Sequence, residues 1–172
     1  YTFACATATQ SQADWLGALA QALSFIGGVP ELIVPDNTRS LVGQADRYEP
    51  QLQRTTAEFA AHYGVAILPA RPYKPQDKAK VEVGVQVVQR WILARLRHRR
   101  FFSLAELNEA IAALIEPLNA RAFRRLPGSR RDAFEMFDRP ALRALPATAF
   151  QFATWKRAKP NIDYHVEFDG HY

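Results

Sequence analysis

The order of apolar and polar positions predicts alternating strands and helices over the first part of the chain. Residues 1–9, "YTFACATAT", are rich in aromatic, Thr and small residues and predict a strand. Apolar residues at helical spacing predict a helix over residues 11–28, with Ser11 and Asp14 at capping-box spacing at its start and Gly27-Gly28 at its end. Residues 31–34 predict a short buried strand, residues 52–64 a second helix that stops at Gly64, and residues 65–70 a third strand. This alternation is typical of an α/β fold, whose functional groups gather at the carboxyl ends of strands.

A long helix is predicted to start near Lys78, after a loop rich in Pro and polar residues. Its expected buried stripe consists of Val81, Val85, Val88, Ile92 and Leu96.

Local signals predict where the following helices begin. Ser103 and Glu106 have capping-box spacing, and Phe102 with Leu107 can form a hydrophobic staple. A further short helix is expected after Ser129. At the end of the chain, "YHVEFDGHY" predicts a strand that runs into a hairpin turn.

Cysteine, histidine and glycine usage excludes several kinds of site. Cys5 is the only cysteine, so an internal disulfide and a cysteine-built zinc site are excluded, and a reducing, cytoplasmic setting is expected. The four His residues lack zinc-like spacing, and no Gly-rich phosphate loop indicates an ATPase. No apolar run has the length that spans a bilayer.

Charge is concentrated in one segment. The net charge is +5, and residues 90–131 contain ten Arg against three Glu. This excess predicts a polyanionic partner, with nucleic acid favoured over the alternative of a solvated basic face. The residues that we expect to contact DNA phosphates are Arg90, Arg95, Arg97, Arg99, Arg100, Arg121, Arg124, Arg125, Arg130 and Arg131. The helix dipole explains the arginines at residues 95–100 about as well, but not those of the later loop.

A family resemblance appears where the third strand leads into the long helix. There, "YGVAILPARPYKPQDKAKVEVGVQVVQRWI" resembles the corresponding region of retroviral-type integrases and DDE transposases, which has Pro-Tyr-x-Pro-Gln and then a helix with the catalytic Glu. In this chain the block is residues 72–76, followed by Glu82. The stretch "LIVPDN" matches the strand that carries the second Asp of the family, here Asp36. The later "LPGSRRDAFE", "ALRALP" and "YHVEFDGHY" resemble the IstA-type transposase of bacterial insertion sequences.

The resemblance implies a fold, a reaction and a set of partners. It implies an RNase H-like integrase core that cleaves and joins transposon-end and target DNA, with two Mg²⁺ (or Mn²⁺) ions held by Asp36 and Glu82. Lys78 and Gln86 would lie along the DNA end, and Lys74 could reach a phosphate. It also implies a homo-oligomer, such as a dimer or tetramer on paired ends, a helper ATPase as partner, and a place in the bacterial cytoplasm at the nucleoid.

The chain departs from the family at one catalytic position. The family uses Asp, Asp and Glu, and nothing here matches the first Asp. Because the opening stretch looks like the family's third strand, we expect that Asp upstream of Tyr1 and expect this fragment to be inactive alone. The expected organisation is a partial catalytic core at residues 1–100, a helical Arg-rich extension at 101–145, and a linker with the first strand of a β-barrel domain at 146–172.

Two functions outside catalysis stay open at this point. The chain could be a DNA-binding module without catalysis, either domesticated or architectural, because the Arg-rich segment supports this equally. A weaker alternative is an oligomerisation fragment, which predicts little salt dependence of DNA binding.

Overall fold

The computed structural model describes residues 1–35, 42–44, 51–52, 54–68 and 79–153, with the backbone alone at 42–44, 51–52 and 79–82. The helices are α1 (Gln12–Ile26), α2 (Arg54–Tyr63), α3 (Ala79–Val88), α4 (Ala94–Leu96), α5 (Leu104–Ala120) and α6 (Arg130–Ala133). The strands are β1 (Leu32–Ile33), β2 (Val42–Gln44), β3 (Gln51–Leu52) and β4 (Ala66–Ile67). The described chain is therefore mainly helical, with a small parallel sheet and a short hairpin.

Local chemistry fixes both ends of α1, as the sequence predicts. The Ser11 hydroxyl accepts a hydrogen bond from the Asp14 N–H at 3.2 Å, and Gly27 ends the helix in the left-handed region with φ of 74°. The Asp14 carboxylate turns back to the preceding turn, where it accepts hydrogen bonds from the N–H and the hydroxyl of Thr9. On the other side of the helix, Leu16 and Leu23 are buried in the first of two hydrophobic cores. The other buried members of this first core are Val29, Phe59, Tyr63, Val65 and Ile67.

The strands β1 and β4 pair in parallel, with Leu32 opposite Ala66 and Ile33 opposite Ile67. Ile33 and Ile67 face the first core, which also contains Phe59 of α2. Leu32 and Val34, in contrast, are 46% and 49% exposed, so the prediction of a fully buried strand is wrong for these two side chains. Alternate residues of a strand point to opposite faces, and α1 and α2 supply packing partners on one face of this pair.

The strands β2 and β3 form an antiparallel hairpin that the sequence reasoning missed. Residues 51–52 belong to β3, so the prediction of a helix from residue 52 is wrong at its start. Helix α2 begins at Arg54 and ends before Gly64, which has φ of 62°.

The opening residues do not form the predicted strand, although they run beside α5. The side-chain amide of Asn119 accepts from the Thr2 N–H at 2.9 Å and donates to the Thr2 carbonyl at 2.8 Å. Asn108 makes the same two bonds with Ala6, at 2.7 and 3.0 Å. The segment therefore finds its hydrogen-bond partners on helix side chains instead of a neighbouring strand.

The long helix predicted from Lys78 is confirmed, but it contains a π-helical turn at Gln89–Leu93 between α3 and α4. Ile92 and Leu96 are buried in a second core with Ile111 and Ile115 of α5. The predicted stripe fails at Val85, which is 50% exposed. The packing partners of this helix are α5 and the opening segment. They lie against its later half, beyond Val85.

The extension starts and continues with capped helices. The Ser103 hydroxyl accepts from the Glu106 N–H at 3.1 Å, while a full capping box joins Ser129 and Asp132 at α6, so both predicted starts are confirmed. The predicted staple is wrong, because Phe102 is 93% exposed. After a π-helical turn at Phe134–Asp138 and a 3₁₀ turn at Arg139–Ala141, the chain returns to the first core.

The returning segment, residues 142–150, lies against the elements of the parallel pair. Val29 and Arg143 form an antiparallel bridge with N–O distances of 2.9 and 3.0 Å. Leu145 and Phe150 pack on the first core. This close approach requires glycine at position 28, because a Cβ there would lie 2.7 Å from the Leu142 Cβ.

Candidate metal-binding edge and nucleic-acid interface

The parallel pair defines the edge of the sheet where catalytic groups are expected. The Leu68 N–H donates to the Ile33 carbonyl at 2.9 Å, so the two strands stay paired to their carboxyl ends. The chain leaves β1 through the buried Pro35, directly before Asp36. After β4 it reaches the start of α3, on which residue 82 lies. Both predicted carboxylate positions therefore follow the carboxyl ends of parallel strands.

The predicted residues nearest to this edge are described to different degrees. Asp36, Lys74 and Lys78 lie outside the described residues, and Glu82 is described by its helical backbone alone. Gln86, one turn further along α3, is exposed. Among the side chains that the structure describes, no group of three His, Cys, Asp or Glu residues could hold a metal ion.

The π-helical turn positions Trp91 at the centre of a cationic cluster. The guanidinium carbon of Arg95, one turn later, lies 4.5 Å from the centroid of the Trp91 ring. The guanidinium carbon of Arg121, which caps the carboxyl end of α5, lies 4.2 Å from the same centroid. Both distances are within the range of cation–π attraction. Two predicted DNA contacts, 26 positions apart in sequence, are thus brought together on one indole.

Two other predicted arginines also lie over aromatic rings. Arg99 lies 5.0 Å from the centroid of Phe101, and Arg130 lies 5.9 Å from that of Phe123. Arg97 donates through Nε to His98 Nε2 at 3.0 Å. The remaining members of the set that are exposed to solvent are Arg90, Arg100, Arg124 and Arg125.

Among the described side chains, Arg131 is the member of the set that has an acidic partner. Its Nη2 lies 2.5 Å from Glu116 Oε2, in an ion pair between α6 and α5. Of the other two acidic residues in the segment, Glu106 accepts from the Phe102 N–H at 2.9 Å and Glu109 is exposed on α5. The ion pair occupies the Arg131 guanidinium, so Arg131 is the weakest candidate for a phosphate contact.

Cys5 and His62 have structural surroundings. Cys5 is half-buried, and desolvation by burial raises the pKa of its thiol, which disfavours the reactive thiolate. His62 is half-buried on α2, with Nε2 3.0 Å from the Thr148 carbonyl oxygen and its ring against Phe150.

Sequence reasoning missed Arg143 as an anchor of the returning segment. Its guanidinium donates to the carbonyls of Gly64 and Pro30, which lie at the end of α2 and just before β1. No local signal identifies this role, because the partners are 79 and 113 positions away. The cluster at Trp91 did leave a signal, an aromatic residue followed by Arg four positions later on a helix.

The arrangement of these elements has a counterpart among solved structures. A chain in the cryo-EM structure of the simian T-cell lymphotropic virus intasome in complex with the PP2A regulatory subunit B56 gamma superposes with a TM-score of 0.57 at 14% identity. The match covers 87% of this chain and 48% of that chain. At this identity the likeness concerns the fold alone, and it shows an integrase-like fold.

Curated relatives supply the family. A protein of Burkholderia multivorans, named as transposase for insertion sequence IS408, is 63% identical over 172 residues, which are 100% of this chain and 33% of the relative. One from Pseudomonas fluorescens, named for insertion sequence IS1162, is 58% identical over 99% of this chain and 30% of its own length. A relative from Sinorhizobium fredii, also named as a transposase, is 53% identical over 98% of this chain and 33% of its own length. The chain belongs to this family of insertion-sequence transposases, as its motifs predict, and spans about a third of the relatives' length.

No protein-family model matches the chain. Within the described ranges, no helix has both the length and the apolar character needed to cross a membrane.

Proposed function

We propose that this chain forms the part of a DNA transposase that supplies Asp36 and Glu82 to a metal-dependent centre for DNA cleavage and strand transfer. The observation that carries the proposal is the parallel pairing of β1 with β4. We infer that residue 36, which directly follows β1, and the helix that starts after β4 serve the same end of the sheet, because the carboxyl ends of parallel strands meet at one edge. The transposase names of the relatives support the reaction class.

The donor set suits a hard divalent cation. Asp36 and Glu82 would hold Mg²⁺ or Mn²⁺, because carboxylate oxygens are the preferred ligands of these ions. When bound, a pair of such ions stabilises the attacking and leaving oxygens of an in-line displacement at phosphorus. The role of the chain itself is to present the two carboxylates from a strand end and a helix, while Lys74, Lys78 and Gln86 orient the DNA end. The first Asp of the family has no counterpart in residues 1–172, so a third carboxylate from elsewhere in the protein would complete the set.

The Arg-rich extension would hold the DNA backbone. The arginines of residues 90–131, which run from the end of the long helix into this extension, are mostly exposed, and only three Glu residues in that segment offset their positive charge. Contacts to phosphates give affinity and register without reading sequence. We place the RNase H-like core at residues 1–100, the extension at 101–145 and the start of a β-barrel domain at 146–172. The working form would be a homo-oligomer on paired transposon ends at the bacterial nucleoid, assisted by a helper ATPase.

A second function, DNA binding without catalysis, is favoured by a specific observation. The arginines of the described surface account for DNA binding without any contribution from the carboxylates. The two functions differ in what they require of Asp36 and Glu82. A pure binding module gains nothing from two carboxylates near a phosphate backbone, since they repel it in the absence of metal.

The test is strand transfer by the full-length protein on pre-cut duplexes that carry the ends of its own element, in Mg²⁺ or Mn²⁺. We compare the wild type with Asp36→Asn and Glu82→Gln, and use Glu109→Gln, an exposed carboxylate on α5, as the matched control. We expect both site variants to bind DNA and to lose joining by about a hundredfold or more, because even the loss of an outer-shell partner of a metal ligand costs about 10–100-fold. Joining at the wild-type rate by either variant would refute the catalytic assignment and leave the binding module.

A further inference from the structure

We propose that Trp91, Arg95 and Arg121 form a preorganised clamp for the nucleic-acid backbone, in which Trp91 is a positioning residue. The proposal rests on the DNA-binding part of the proposed function and names a specific subsite within it. We call these three residues the indole clamp. Its starting observation is that guanidinium carbons from two separate helices lie 4.5 and 4.2 Å from the centroid of the same ring.

The indole clamp fixes two flexible side chains in a form that suits phosphate. Arg loses substantial rotamer entropy when it is immobilised by a ligand, and prior packing on a ring reduces that loss. A guanidinium that rests against an aromatic ring keeps N–H groups at its edge, in the fork that matches phosphate oxygens. The half-buried Trp91 is itself held by the second core, against which it packs. The ring is therefore a fixed support for both cations.

The spacing of the two cations suits a nucleic-acid strand. Because each guanidinium carbon lies within 4.5 Å of one centroid, the two can be no more than 9 Å apart. Phosphates of one DNA strand follow each other at about 3.4 Å along the helix axis. The pair can therefore contact two close neighbouring phosphates of the same strand, whereas a single guanidinium contacts one.

Unbalanced charge points to the same partner. Among the residues that the structure describes, no carboxylate forms an ion pair with Arg95 or Arg121, whereas Arg131 is paired with Glu116. Arg121, which the sequence predicts to lie in a loop, caps the carboxyl end of α5, where the helix dipole favours positive charge. The dipole also favours the charge of Arg95, in the last turn of α4. It does not explain why Arg95 is placed over the same ring. Two like charges held close together are best accounted for by a polyanion that binds them both.

The position of the indole clamp makes it a part of the DNA path outside the reacting centre. Trp91 follows residue 82 by nine positions on one continuous helix, which corresponds to about 13 Å along its axis. Nine positions also correspond to a net rotation of about half a turn around the helix, so a strand held here would lie outside the reacting centre and on a different side of the helix from residue 82. The π-helical turn that carries Trp91 is a feature often found at functional sites.

The test measures binding of the full-length protein to duplex DNA without divalent metal, over a series of salt concentrations. We expect Arg95→Gln and Arg121→Gln each to weaken binding roughly three- to tenfold and to reduce the salt slope by about one. The matched control is Arg139→Gln, which removes the same charge from an arginine paired with Glu135 at 2.7 Å and should leave both quantities nearly unchanged.

Variants of Trp91 separate positioning from simple charge. Trp91→Leu keeps the net charge, yet we expect it to weaken binding several-fold and to abolish the coupling between Arg95→Gln and Arg121→Gln in a double-mutant cycle. Trp91→Phe keeps an aromatic face and should restore most of the binding affinity and most of the coupling. Far-UV circular dichroism checks that each variant is folded.

Each outcome decides either this proposal or the proposed function. Wild-type binding by Trp91→Leu, or arginine variants that behave like Arg139→Gln, would overturn the indole clamp. Absence of DNA binding by the wild type would also overturn it. Joining at the wild-type rate by Asp36→Asn or Glu82→Gln, with binding that still depends on Trp91, would count against the catalytic proposal and leave the clamp intact.

Discussion

The contact of the opening segment with α5 can be tested by removing one asparagine. Asn119 has no exposed surface, and its amide makes two hydrogen bonds with the Thr2 backbone, at 2.9 and 2.8 Å. Asn119→Ala leaves a backbone N–H and a carbonyl without these partners. Each unsatisfied buried group costs about 1–3 kcal/mol. Because Thr2 is only partly buried, we expect its N–H and carbonyl together to lower the free energy of unfolding by an amount toward the lower end of the sum for two such groups, about 2–4 kcal/mol.

The matched control is Asn108→Ala, which removes the same two bonds from Ala6. Asn108 is half-buried, so water can replace its amide more easily and the expected loss is about 1 kcal/mol. Urea unfolding of the protein measures both values, and amide exchange at Thr2 and Ala6 reports the local opening. A loss below about 0.5 kcal/mol for Asn119→Ala, or equal losses for the two variants, would refute the idea that buried side-chain amides hold this segment.

Further predictions concern the glycines at positions 17 and 28 and the carboxylate of Asp14. Gly28→Ala should destabilise the fold by about 1–3 kcal/mol, because its Cβ would lie 2.7 Å from the Leu142 Cβ. Gly17→Ala, which has open space around it in α1, should stabilise the fold by about 0.5–1 kcal/mol. Thermal unfolding that shifts the stability of both variants in the same direction would contradict this. Hydrogen bonds from Thr9, chiefly from its hydroxyl, lower the pKa of Asp14 below 3.8. The stability from this carboxylate is therefore present above that ordinary value and is lost as pH falls through the lowered pKa of the folded state. Asp14→Asn should destabilise at neutral pH, and urea unfolding that finds the same difference at about pH 2 would refute the assignment.

Features set by neighbouring residues could be predicted from the sequence. The caps at Ser11, Ser103 and Ser129 are confirmed, because a hydroxyl and an N–H three positions later meet whenever a helix starts there. The stops at Gly27 and Gly64 are confirmed for the same reason, since both need a left-handed backbone.

Features set by residues far apart in the chain could not be predicted from the sequence. The opening stretch has the composition of a strand, but its hydrogen bonds go to Asn108 and Asn119, more than a hundred positions away. Val85 has the right spacing for a buried stripe, and its exposure depends on which half of the helix α5 covers. Phe102 likewise has staple spacing but no packing partner among the described residues.

The candidate site divides in the same way. The Pro-Tyr-x-Pro-Gln block and its spacing from Glu82 predicted the transposase family from the sequence, and the relatives confirm that family. Arg95 and Arg121 were identified singly as phosphate contacts by charge, and their meeting on Trp91 required the packing of α5 against the π-helical turn. The ion pair of Arg131 with Glu116 also depends on that packing.

The central claim is that Asp36 and Glu82 hold one metal centre at the carboxyl end of the parallel pair. The most direct measurement replaces Mg²⁺ by Fe²⁺ in the full-length protein and adds hydrogen peroxide with ascorbate as reductant. The iron then reduces the peroxide to hydroxyl radicals, and the backbone cuts that these radicals make are mapped. The account predicts cuts near residues 36 and 82 in the wild type, both lost in Asp36→Asn and in Glu82→Gln and both retained in Glu109→Gln. Cuts at only one of the two positions, or cuts that persist in both site variants, would contradict it.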